Sequence, residues 1–151
     1  MVFQIGLGEM PGVVDFHESI LSETSSFVLP NENSKYLKSK NRILLQKSQN
    51  SFKSIPTQVT TIDDFVKENK IIDIDILKID VEGFEFEVML GAKKVLGDGK
   101  VKIVQFERHT NDMRTDQFHE IDRFLKSLNY FKVKELKHPF GDFYELIYQK
   151  Q

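Results

Sequence analysis

Cysteine and tryptophan are both missing from this 151-residue chain. Without cysteine there are no disulfides, thiolate metal sites or cysteine nucleophiles, although the redox compartment is only weakly indicated. No apolar run approaches the roughly 20 residues of a membrane span. The opening Met1-Val-Phe-Gln-Ile-Gly6 lacks the basic and long apolar regions of a signal peptide. A cytoplasmic address with no membrane partner is therefore the default expectation. Neither charge is in strong excess, with 21 Lys and Arg against 23 Asp and Glu. Nothing global points to nucleic acid. The remainder, 40% apolar and 29% charged, is ordinary for a globular protein. The length suits one domain with a real core rather than two.

Along the chain, residues 2–5 are apolar but for Gln4, and they meet the turn residues Gly6, Gly8, Pro11 and Gly12. Val13 to Glu18 is rich in β-branched and aromatic residues. The pattern predicts strand, turn, strand over 1–18. Residues 19–58 are a polar excursion, and from Asn33 to Gln58 they carry six basic residues and no acidic one. Such a stretch reads as a solvated loop or as a basic patch for an anionic partner. Only Arg42-Ile-Leu-Leu45 suggests an ordered element inside it.

Thr61 or Asp63 would cap a short helix running to about Asn69. Ile74 to Val81 is a mostly apolar, β-rich run, as expected of a central parallel strand. Phe84 to Leu96 has helical spacing, with Phe84, Val88, Ala92 and Val95 on one stripe, and Gly97 and Gly99 end it. Val101 to Phe106 reads as a strand and Thr115 to Leu128 as a helix. Phe131 to Leu136 alternates like a half-buried strand, and Pro139-Phe-Gly141 turns the chain into a last strand, Phe143 to Tyr148. Helices between strands imply parallel crossovers, and the short last turn implies an antiparallel pair.

Several stretches then resemble one family. Val59-Thr-Thr-Ile-Asp-Asp-Phe65, Ile74-Asp-Ile-Leu-Lys-Ile-Asp-Val-Glu-Gly83 and Val88-Met-Leu-Gly-Ala92 are similar to the FkbM methyltransferase pattern. Gly6-Leu-Gly8, Gly12-Val-Val-Asp-Phe-His-Glu-Ser19, Thr24-Ser-Ser26 and Val104-Gln-Phe-Glu-Arg-His109 fit the same family in the right order. The resemblance implies an α/β, Rossmann-like class I methyltransferase sheet, partial here and ending in an antiparallel strand pair. It implies S-adenosylmethionine as cofactor and O-methylation of a sugar, glycan or small metabolite.

The family's glycine-rich cofactor cradle has no clear counterpart. Val2 to Gly8 superficially resembles its first strand and turn. But Gln4 stands where the usual acid would be, and a strand rather than a helix follows Gly12. The expectation is thus a domain fragment, residues 59–151 forming its C-terminal α/β half. The missing strands would lie between the first strand and the one at 74–81. The exposed edge left behind would favour self-association or pairing with a missing N-terminal half.

Ligands of open α/β sheets bind at the carboxyl ends of the strands. Asp80, Glu82 and Gly83 lie at the end of one predicted strand, and Glu107 and His109 at the end of its neighbour. Asp80, Glu107 and His109 are the catalytic candidates, and Asp80 is also a cofactor-binding one. His109 suits a general base because imidazole titrates near neutrality. Glu82 and Gly83 are substrate-binding candidates, joined by Ser25 and Ser26 on the family resemblance. The blander readings are that Asp80 caps the next helix and Glu82 favours its N-terminus. No metal ligand set is assigned. A divalent site on Asp80, Glu107 and His109 would instead make a metal-dependent α/β hydrolase. An inactive remnant or interaction module is the non-enzymatic alternative.

Overall fold

The computed structural model describes residues 1–19, 25–31, 33–35, 39, 52–112, 115–139 and 141–151. They form a mixed α/β fold with two small sheets and four helices. The first sheet contains β1 (Gly6–Leu7), β2 (Gly12–Ser19) and β3 (Phe52–Thr60), in the order β1-β3-β2. β2 runs antiparallel to β3 and β1 parallel to it.

This corrects two expectations. Residues 2–5 are not a strand, and the excursion 19–58 ends in one. β3 is polar and contains Pro56, which has no N–H for a ladder and usually argues against an inner strand. The strand tolerates it because β1 pairs only with Val59 and Thr60, leaving one side of Pro56 without a named strand. Arg42 to Leu45 lies outside the described residues, as do Lys38, Lys40 and Lys47 of the basic run.

α1 (Ile62–Glu68) follows, with the Thr61 hydroxyl accepting from the Asp64 N–H at its start. Then come β4 (Ile74–Ile79), α2 (Glu85–Leu90), α3 (Lys93–Gly97), β5 (Val101–His109), α4 (Phe118–Ser127), β6 (Tyr130–Lys137) and β7 (Phe143–Lys150). The helix expected over Phe84 to Leu96 is two short helices, broken at Gly91-Ala92. A Cβ on Gly91 would lie 2.0 Å from the Gly8 carbonyl oxygen, so the break brings this turn against the first sheet. α3 has no capping side chain of its own. Instead the Asp63 carboxylate, from the first turn of α1, accepts the N–H groups of Lys94 and Val95 at 2.9 and 2.8 Å.

The second sheet has the order β4-β5-β7-β6. β4 and β5 are parallel, while β7 is antiparallel to both its neighbours. The final antiparallel pair is therefore present, with β7 inserted beside β5. One face of this sheet packs on the helices. Ile79, Val104, Phe106, Leu146 and Tyr148 meet Val88, Met89, Leu96, Ile121 and Leu125 there. Each large apolar side chain so buried contributes about 1.5–3 kcal/mol. The other face is bare at both margins. β4 is an edge strand among the described residues rather than a central one, and Ile76 is 58% exposed. β6 is not half-buried as its alternation suggested, because only Tyr130 is buried and Phe131 and Leu136 face outward.

Candidate functional site

Side chains alternate across a strand, so β5 sends Phe106 into the helix-covered core and Glu107 and His109 to the opposite face. Glu145 of β7 lies directly across from Glu107 in the ladder. On the other side, β4 ends and Asp80 follows it. The chain then turns through Glu82 and Gly83, both at positive φ, 56° and 94°. Gly83 takes that conformation without strain, and Glu82 takes it at a cost.

Parallel pairing of β4 with β5 brings the two strand ends together. The His109 Nε2 lies 3.5 Å from Glu107 Oε2 and 3.9 Å from Glu82 Oε2. Lys78 Nζ donates to Asp80 Oδ2 at 3.1 Å and stands 3.8 Å from Glu145 Oε1. Gln105 Nε2 donates to Glu145 Oε2 at 2.8 Å. The cluster thus gathers four carboxylates around one lysine and one imidazole. Burial, followed by the charges of Asp80 and Glu145, pushes the Glu107 carboxyl up to about 7. Lys78 opposes that rise, and is itself held above the usual lysine range by its hydrogen bond to Asp80. A carboxyl that titrates near neutrality can take a proton from a bound acceptor.

Asp80 is paired with Lys78 and does not cap a helix. α2 has no side-chain cap, and Glu85 folds back to accept the Gly83 N–H at 3.0 Å. Glu85 is buried, and that burial raises its carboxyl. A cleft of about 390 Å³, counted to its open mouth, lies beside the cluster between Gly83, Glu85, Phe106, Arg108 and Phe118. Arg108 is committed within it, paired with Asp116 and seated 4.1 Å above the Phe118 ring.

The two serines stand elsewhere. Ser25 Oγ accepts the Ser19 N–H at 3.0 Å, which ties it to β2. Ser26 is buried and does not face the cleft. Lys78, Gln105 and Glu145 escaped sequence reasoning. Lys78 sits inside the noticed signature, but its partner Glu145 is set by strand register, which no local motif reveals. Among the described residues no three His, Asp or Glu side chains converge as a metal site, so the divalent site on Asp80, Glu107 and His109 is not formed.

Residues 1–132 match the family model of the methyltransferase FkbM domain. The chain belongs to this family. No curated protein and no solved structure matches it. The matched segment holds every candidate from Ser25 to His109, whereas Glu145 lies beyond it. Methyltransferases of this family typically use S-adenosylmethionine. The turn at Gly6 and Gly8 does not fit the adenosyl part of that cofactor. Gly6 and Gly8 resemble a cradle only in sequence. A Cβ on Gly6 would meet Phe27 and Val59 at 2.8 and 2.9 Å, and the Gly8 carbonyl is packed against Gly91. These glycines make room for protein rather than for a ligand. No described helix is long and apolar enough to cross a membrane.

Proposed function

We propose that this chain forms the acceptor side of an S-adenosylmethionine-dependent O-methyltransferase site. The observation that carries the reading is the Glu107–His109 pair at the carboxyl end of β5, with Asp80 and Glu82 beside it. The strand order β4-β5-β7-β6 supports it, because the second half of a class I methyltransferase sheet has this order. Glu107 would accept the proton of an acceptor hydroxyl, and His109 would hydrogen-bond the same hydroxyl or receive the proton onward; S-adenosylmethionine, when bound, would supply the methyl group and leave as its thioether. Glu107 and His109 both line the cleft, so an acceptor seated there meets the pair directly. The cleft's guanidinium is already paired and, His109 apart, its other ionisable groups are acids, so it suits a neutral, hydroxyl-rich acceptor such as a sugar, glycan or polyol metabolite.

Calorimetry with S-adenosylmethionine tests the division of labour, with weak or no binding expected because Gly6 and Gly8 are packed against protein. Tight binding would overturn it. Acceptor binding is read separately, from the His109 and Glu107 resonances on titration with simple sugars and polyols. Shifts are expected with those and not with sugar phosphates, and the opposite pattern would sink the acceptor assignment. A second reading, an interaction module that pairs with another half-domain or a second copy, is favoured by the open edge of β4 and the exposed Ile76.

A further inference from the structure

The turn that carries Glu82 is held from a distant part of the chain. Ser26 is only 2% exposed, and its hydroxyl lies 2.8 Å from the Glu82 carbonyl oxygen and 3.1 Å from that of Val81, donating to this pair. The same oxygen accepts the Val28 N–H at 3.1 Å. Ser26 is in turn bridged to β2, exchanging backbone hydrogen bonds with His17 at 2.8 and 3.2 Å. Phe27 completes the join, its ring 5.3 Å from those of both Phe16 and Phe84. The carbonyls that Ser26 grips belong to the residues entering the positive-φ turn. Glu82 has a Cβ and disfavours that conformation, so the hydrogen bond from Ser26 helps to hold it.

We propose that Ser26 is a positioning residue that fixes the Glu82 carboxylate beside His109, and that it does not bind substrate. The first sheet thereby sets the geometry of a cluster built on the second. This rests on the proposed methyltransferase reading for the purpose of the cluster, but its geometry is tested without activity. Amide exchange and histidine ring spectra are to be compared in the wild type, Ser26→Ala and Ser26→Thr. Ser26→Ala is expected to speed exchange at the Gly83 amide about tenfold, the ratio that one buried hydrogen bond of ordinary strength supports. Val104 and Leu146 amides in the sheet interior keep their protection, the His109 ring resonances move, and Ser26→Thr restores both signals. Unchanged exchange at Gly83, or an equal loss at every amide that threonine does not rescue, overturns the proposal. Where methyl transfer is measured, Ser26→Ala added to Glu82→Gln costs nothing further, and additive losses also overturn it. No shift of the Glu107 and His109 resonances on titration with sugars and polyols, with the exchange contrast intact, refutes the functional reading alone.

Discussion

Replacing Glu107 by glutamine isolates the electrostatics of the cluster. Glu107 is raised from 4.5 to about 7, first by burial and then by Asp80 and Glu145. Its stabilising contribution is therefore full below about 4.5 and is lost as pH rises through about 7. Within that window the native state keeps a proton that the unfolded chain has released. Stability falls there by about 1.4 kcal/mol for each pH unit, which is about 3 kcal/mol across it. The carboxylate keeps some contact with water, and screening reduces this to about 2 kcal/mol. Glutamine resembles the protonated form at every pH and escapes the loss. Urea unfolding of both proteins from pH 4.5 to 8 gives the difference curve. Glu107→Gln should match the wild type near pH 4.5 and exceed it by about 2 kcal/mol at pH 8, or roughly 4–8 °C in Tm. A flat difference, or a variant that loses ground as pH rises, refutes the reasoning.

Two further substitutions test the frame. Asp63→Ala removes the carboxylate that receives the Lys94 and Val95 N–H groups and should cost about 1–2 kcal/mol in urea unfolding, with Asp63→Asn recovering part. An unchanged midpoint would show that α3 does not need this cap. Gly91→Ala drives a Cβ into the Gly8 carbonyl, which is backbone and cannot swing aside. A fall of roughly 10 °C in Tm is expected by calorimetry, and a neutral result would mean that the two sheets can separate at no cost.

Much of the second sheet was legible from the residues because its strands announce themselves locally. Val104-Gln-Phe-Glu-Arg-His109 alternates along a strand, so its carboxylate and imidazole could be placed at one end and on one face. The first sheet was far less legible. β3 is built from Lys, Ser, Thr and Gln around a proline, and its strand character comes from pairing with β2 rather than from propensity. The burial of β6 was misjudged because alternation shows that one face differs from the other, not that either is covered. Ser26 was expected to bind substrate, but its partners are backbone carbonyls 55 and 56 residues away. Such a contact leaves no trace in a local motif.

The family-like stretches therefore contain residues of two kinds. Thr61 and Asp63 cap α1 and α3, and Gly91 lets the turn between α2 and α3 approach the first sheet. Asp80, Glu82, Glu107 and His109 form the charged cluster, and they do not make the fold more stable. Like charges directly opposite in a ladder are unfavourable, and Glu107 faces Glu145 with Asp80 nearby. Glu82 adds a strained backbone to the same place. A sequence shaped for stability alone would not combine these features at one strand end. β5 and β7 offset the cost on their other face, where Val104, Phe106, Leu146 and Tyr148 are buried under helices. Departures from local consistency concentrate where chemistry is done. Positive-φ residues also occur at Lys70 and Asn129, but only beside the Glu107–His109 pair does a strained backbone coincide with crowded carboxylates, and that is why the pair, rather than the better-packed parts of the signature, is the place to look for activity.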